Sequence, residues 1–280
     1  MNRKEKRRLR RTPSIPGLKP KKHLSQNFLM DDEVLESIVD AADLQPNDQI
    51  LEIGAGTGIL TQALVPLVQR VVAVEIDESL LPGLHKLAAA HPNLTILPGD
   101  IMQLGFAVLE KAFSRVPYKV VANVPYHITS AIIKKFLDSP APPTSLTLLV
   151  QAEVAERICA LPGHMSLLSL SVQLFGEPAI VAKVPATAFW PAPDVDSAVL
   201  HIDTYAKPLF AAEVRQKIFT LAKAGFANRR KTLANSLSSS LRTRREIVEK
   251  ALKILEIEPL QRAQELTLDQ WAWLTTKLDV

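Results

Sequence analysis

From about residue 49 to residue 151, short apolar runs alternate with segments of helical period. The runs are QILEIG (49–54), RVVAVEI (70–76), LTILPG (94–99), YKVVANV (118–124) and SLTLLVQ (145–151). Between them lie ILTQALVPLV, ESLLPGLHKLAAA, the 101–115 segment and TSAIIKKFLDS. Near-continuous Val, Ile and Leu strands separated by helices predict a parallel sheet covered on both faces. Ahead of the first run, DDEVLESIVDAADL puts Val34, Leu35, Ile38, Val39 and Ala42 on one helix face, with Asp31 or Asp32 as its N-cap.

The alternation then changes. AIVAKV (179–184) and SAVLHIDT (197–204) are strand-like, and only the proline-rich PATAFWPAPDVD joins them. A loop too short for a crossover helix predicts an antiparallel pair. From about residue 208 the pattern is helical only. The expectation is an α/β domain, with a mostly parallel sheet ending in an antiparallel strand, followed by a small all-α domain. Its boundaries are 1–22 for a basic arm, 23–207 for the α/β domain and 208–280 for the helical one.

Composition adds limits. With 280 residues, 47% of them hydrophobic, the chain can bury a sizeable core. No apolar run reaches the roughly 18 residues of a membrane span, and residues 1–22 hold no apolar signal core. The single cysteine, Cys159, excludes an internal disulfide framework and fits a reducing compartment. In VAERICAL it reads as a small core residue rather than a nucleophile. The six histidines never show H-x-x-x-H spacing, so no metal is expected.

Charge changes the picture more. The net value is +4, but residues 1–22 carry ten Lys/Arg and one acid, so the arm is +9 and the rest −5. A basic arm on an acidic body suggests a polyanionic partner, nucleic acid first. A solubilising tail is the plain alternative. An organelle presequence is a third, against which Glu5 and the lack of an apolar face both count.

Chemistry gathers at the strand ends. LEIGAGTG gives Gly54, Gly56 and Gly58, with Ile59 where a dinucleotide fingerprint would have its last glycine. Glu75 ends the second strand, where a carboxylate can take both hydroxyls of a ribose. Asp100 follows the third, placed to accept from an adenine amino group. Singly each carboxylate reads as a helix cap; in register they point to an adenosine ligand. The missing glycine and the preceding Glu52 favour S-adenosylmethionine over a dinucleotide. Glu52 would orient the loop or approach the amino-acid end of the ligand through water.

The fourth strand ends in NVPY, followed by HITS. An exocyclic adenine amine is a poor nucleophile with two N–H donors. Asn123 and the Val124 carbonyl can accept both and so turn its lone pair toward a methyl donor. Pro125 restricts Val124 to an extended backbone. Tyr126 offers a flat face for a splayed-out base.

These segments resemble the ribosomal RNA adenine N6,N6-dimethyltransferases, most closely the universal small-subunit type. The resemblance rests on LSQNFL (24–29), LEIGAGTG (51–58), VVAVEID (71–77), GD (99–100), NVPYHITS (123–130), PATAFWPAPDVDSAV (185–199), GFANRRKTLANSL (225–237) and RAQELTLDQW (262–271), in the family's order. It implies a Rossmann-like S-adenosylmethionine-dependent methyltransferase fold with a helical, RNA-binding C-terminal domain. It implies a cytoplasmic monomer that dimethylates two adjacent adenosines in a hairpin near the 3′ end of small-subunit rRNA. The RNA would lie within a precursor subunit, and S-adenosylhomocysteine would be released. Asn27 and Leu29 become cofactor contacts beside Gly54, Glu75, Asp100 and Asn123, and Phe189 becomes an aromatic that helps hold the target base.

The chain departs from the family at Ser25, usually Gly; at Val124, usually Leu; at His127, commonly Asn; and across 162–172. Two other readings stand beside this one: the large-subunit adenine dimethylase of the macrolide-resistance type, and an RNA-binding assembly factor with secondary activity. A DNA adenine methyltransferase would need a recognition domain for which the helical segment leaves little room.

Overall fold

The computed structural model describes residues 18–21, 24–113, 117–228 and 230–278. Apart from residues 18–21, the basic arm lies outside the described residues. The chain forms two compact units. One runs to Ala155 and includes Ala179–Thr204; the other takes Glu156–Pro178 and the chain from Tyr205 onward.

In the first unit, Asp31 caps helix α1 (Asp32–Ala41), its Oδ1 accepting from the backbone N–H groups of Glu33 and Val34. The apolar runs become β2 (Gln49–Ile53), β3 (Arg70–Glu75), β4 (Leu94–Pro98), β5 (Lys119–Asn123) and β6 (Ser145–Gln151). The intervening helices are α2 (Ile59–Leu64), α3 (Leu81–Ala90), α4 (Phe106–Ala112) and α5 (Thr129–Leu137). A longer β7 (Gly176–Val184) and β9 (Ser197–Thr204) complete a seven-stranded sheet of order β4-β3-β2-β5-β6-β9-β7. β4, β3, β2, β5 and β6 are mutually parallel, and β9 is antiparallel to β6, pairing Leu148 with Leu200. β9 is not the last strand, because β7 lies outside it. Ile50, Leu51, Val71, Val72, Val120 and Val121 are fully buried, as strands covered on both faces require.

Two short strands were not visible as a pattern. β1 (Phe28–Leu29) pairs antiparallel with β8 (Phe189–Trp190), which lies inside the proline-rich PATAFWPAPDVD segment. Among the described residues, the 101–115 segment is helical only over α4. Its first residues turn instead around the Lys135 ammonium, which donates to the carbonyls of Ile101 (2.6 Å), Met102 (3.2 Å) and Leu104 (2.7 Å).

The second unit holds α7 (Leu167–Gln173), α8 (Ala212–Phe226), α9 (Leu233–Leu241), α10 (Arg245–Ile254) and α11 (Leu268–Leu274) around a core of Ile218, Leu221, Leu233, Leu237, Leu252 and Trp271. Glu156–Pro178 was expected within the α/β domain. Its Met165, Leu170 and Leu174 instead join this core. Gln264 ties the same stretch down: its backbone oxygen accepts from Gly163 N–H and Met165 N–H, and its side chain donates to the Gly163 carbonyl. Cys159 is half-buried just past α6 (Ala152–Ile158), with burial raising its thiol pKa.

Candidate active site

The order of the sheet reverses at β2, whose neighbours are β3 and β5. Open α/β sheets bind ligands at the carboxyl ends of strands at such a point. A cleft lies there, with an empty volume of about 820 Å3, open solvent included.

The turn after β2 forms its floor. Gly54, Gly56 and Gly58 have φ of 75°, 60° and 83°, left-handed values that side chains resist. Gly54 also runs close to β5, since a Cβ there would stand 3.5 Å from the Asn123 carbonyl oxygen. From β3 comes Glu75, only 4% exposed. Its Oε2 accepts from Gly56 N–H and its Oε1 from Asp77 N–H, each at 2.7 Å. Burial raises its pKa, and these two backbone bonds oppose the rise. Each oxygen keeps a lone pair for a further donor.

Glu52 also lines the cleft, 1% exposed, and no hydrogen bond of ordinary geometry reaches either oxygen. Burial raises its pKa to about 8 and the nearby Glu75 adds to this, while proximity to Thr61 lowers it somewhat. At neutral pH Glu52 is therefore mostly protonated.

Asn123 ends β5 and donates its Nδ2 to the Asn27 carbonyl at 3.2 Å. That bond fixes the amide, so the Asn123 side-chain oxygen is the end that remains to accept. Val124, Pro125 and Tyr126 follow it along the cleft. The Tyr126 hydroxyl lies 2.7 Å from Ser197 Oγ on β9. Burial raises the phenol's pKa and this bond lowers it. Residues Leu24–Leu29 complete the lining. Within them Ser25 has φ 50°, a left-handed backbone that favours glycine, and its carbonyl accepts from Asn27 Nδ2.

The structure thus gathers Asn27, Leu29, Gly54, Glu75, Asn123, Val124, Pro125 and Tyr126 around one cleft. It does not bring in two expected residues. Asp100 lies just beyond β4 and folds back on its own turn, accepting from Met102 N–H (2.8 Å) and Gln103 Nε2 (3.2 Å). Phe189 is 1% exposed, because β8 pairs it with Leu29 and packs it into the core with Val184 and Val199. Its ring is not presented to a base in this structure. Sequence reasoning missed Gln26, Phe28, Thr57, Asp77 and Ser197. All five lie inside the quoted motifs, Gln26 and Phe28 in LSQNFL, Thr57 in LEIGAGTG, Asp77 in VVAVEID and Ser197 in PATAFWPAPDVDSAV, and that was the signal that could have found them.

Among the described residues that line the cleft there is no Lys, Arg or His, and there are two acids. A pyrophosphate would meet no cation here, whereas a ligand bearing positive charge meets carboxyl groups. Among the described residues, no group of three or more His, Cys, Asp or Glu is placed to hold a metal ion.

A mostly parallel seven-stranded sheet with an antiparallel strand near one edge, and a glycine turn and carboxylate at its switch point, defines the class: a Rossmann-like methyltransferase fold. The sequence profile of the family "Ribosomal RNA adenine dimethylase" matches residues 17–279, and the chain belongs to that family. It is 40% identical over 257 residues to the ribosomal RNA small subunit methyltransferase A of Dehalococcoides mccartyi (strain ATCC BAA-2266), spanning 92% of this chain and 88% of that one. Among solved structures, the 23S rRNA methyltransferase ErmE is 29% identical with a TM-score of 0.73, covering 91% of this chain and all of ErmE. A dimethyladenosine transferase from Plasmodium falciparum shares the fold, at 24% identity and a TM-score of 0.76 over 89% of this chain and 96% of its own.

Proposed function

We propose that this chain transfers methyl groups from S-adenosylmethionine to N6 of two adjacent adenosines in a hairpin near the 3′ end of small-subunit rRNA, giving N6,N6-dimethyladenosine. The small-subunit assignment over the large-subunit one is supported by the relative at 40% identity.

The donor fits the cleft. Glu75 would take the ribose hydroxyls with its remaining lone pairs, beside a glycine turn that lets the backbone approach. Leu29 and Asn27 would cover it. Asp100 keeps a lone pair on each carboxylate oxygen beyond its own turn and would accept from the adenine amine. When bound, S-adenosylmethionine supplies an electrophilic methyl group on a positively charged sulfur.

The observation that carries the reading is the Asn27–Asn123 hydrogen bond. It occupies the amide nitrogen and leaves the oxygen as acceptor for one N6 hydrogen. The Val124 carbonyl accepts the other. Held this way, the amine presents its lone pair to the donor rather than to solvent. Tyr126, its ring fixed through Ser197, stacks on the base. Among the described residues no basic side chain lines the cleft, and the proton released from N6 passes to water.

RNA is held through phosphates. Lys223, Arg230, Lys231, Arg242, Arg244 and Arg245 are all exposed on the helical unit, and the arm adds its own charge. We take the protein to act as a monomer in the cytoplasm on rRNA within a precursor subunit. Among the described residues no helix is long and apolar enough to cross a membrane. Mass spectrometry of small-subunit rRNA from cells with and without the protein tests the reading. Loss of N6,N6-dimethyladenosine is expected, and its persistence at both positions contradicts the assignment.

A further inference from the structure

The Asp77 side chain has no part in the proposed reaction. It lies two residues past Glu75, only 2% exposed, and takes four hydrogen bonds. Its Oδ1 accepts from Lys21 Nζ at 2.6 Å, Ser79 N–H at 3.0 Å and Ser79 Oγ at 2.6 Å. Its Oδ2 accepts from Gln26 Nε2 at 2.8 Å. Gln26 in turn accepts from the Lys21 backbone N–H at 2.8 Å, so Lys21, Gln26 and Asp77 close a ring. Burial raises the Asp77 pKa, but the bonds from Lys21, Ser79 and Gln26 outweigh it and hold the carboxyl well below the usual carboxylate range.

Two connections give this ring a consequence. The Asp77 N–H donates to Glu75 Oε1 at 2.7 Å and so helps set the carboxylate assigned to the ribose. Gln26 belongs to the segment Leu24–Leu29 that lines the cleft, a segment also held by the pairing of β1 with β8, by the Asn123 bond to the Asn27 carbonyl and by the burial of Leu29. The Ser79 bonds account for a turn at the approach to α3, and that turn needs neither Lys21 nor Gln26. Those two partners stand 56 and 51 residues away in sequence.

We propose that Asp77 is a positioning residue of the cofactor site, a clamp that holds the Leu24–Leu29 segment over the cleft through Lys21 and Gln26 and thereby sets how long the cofactor stays bound. The clamp rests on the cofactor reading above. Entry and exit of a ligand beneath the segment require the Lys21–Asp77 ion pair to open. A buried carboxylate that loses one partner is left under-compensated, which makes opening costly and closure the resting state.

The test is S-adenosylmethionine binding by the full chain in stopped flow, for the wild type, Lys21→Met, Gln26→Leu and Lys21→Arg. Asp77→Asn also breaks the Ser79 turn, so the single-partner variants carry the result. Lys21→Met and Gln26→Leu are expected to release cofactor about tenfold faster. For Lys21→Met, association and the methylation rate at saturating cofactor should stay near wild type, while the thermal midpoint falls because Asp77 loses a partner. Lys21→Arg should restore slow release. A lowered thermal midpoint with unchanged release would mean that the ring only supports the fold, and would overturn the clamp. Unchanged release with an unchanged midpoint would overturn it as well. Absence of saturable binding by the wild type would overturn the cofactor reading, and the clamp with it.

Discussion

Ser25 holds a left-handed backbone, at φ 50°, on the rim of the cleft. Such a conformation costs a residue with a Cβ roughly 1–2 kcal/mol, and glycine gives part of that back through its freer unfolded chain. Ser25→Gly should therefore raise the unfolding free energy by about 0.5–1 kcal/mol, read from urea denaturation; a loss of stability would show that the serine is favoured there. Glu52 makes the opposite kind of demand. Its pKa of about 8, against an ordinary 4.5, means that the folded protein keeps a proton which the unfolded chain has released between those values. Its contribution to stability therefore declines as pH rises through that window. Glu52→Gln removes the ionisation. Its stability relative to wild type should grow between pH 4.5 and 8, by up to roughly 5 kcal/mol, and level off above. A difference that does not change with pH would place the carboxyl in water. The sequence placed Glu52 beside the glycine turn, yet its burial depends on strands on both sides and could not be read from its neighbours.

At the scale of elements, the strands of the parallel sheet were legible because each is a continuous apolar run, and SLTLLVQ matches β6 end to end. β1 and β8 were not, since two residues carry no period and their partners are some 160 positions apart. Lys135 hides the turn before α4 for a similar reason: a single cation organises three carbonyls that no local pattern links. In the helical unit, Gly225 sits inside α8, where glycine is usually unfavourable. The reason is Trp271, whose ring would lie 2.6 Å from an added Cβ. Trp271 is fully buried, so it has little room to yield. Gly225→Ala gains up to about 1 kcal/mol in helix propensity but should still cost about 1–2 kcal/mol net through overpacking. A higher thermal midpoint in that variant would contradict this packing.

For the whole molecule, the uneven charge was the most informative feature of the composition. Residues 1–19 hold eight Lys/Arg and one acid. Removing them spares Lys21 and Gln26. Affinity for small-subunit rRNA should fall, and the slope of log affinity against log salt should flatten by several units of phosphate contact, while cofactor affinity is unchanged. An unaltered slope would make the arm a tail without an RNA role. The candidate site was mostly legible, because strand ends in order along one sheet edge leave few arrangements for Gly54, Glu75 and Asn123. What escaped was the pairing that buries Phe189 and the bond that orients Asn123, both made by a segment near the start of the chain.

The central claim is that Asn123 orients the adenine amine, and the most direct measurement is methylation by Asn123→Ala. Mono- and dimethyladenosine would be followed separately in small-subunit rRNA with saturating S-adenosylmethionine, with RNA and cofactor binding measured on the same protein. Misorientation at a reacting centre costs about a hundredfold in rate. The account therefore predicts both methylation steps slowed by at least that order while RNA binding persists. Dimethylation at a near wild-type rate by Asn123→Ala would contradict it.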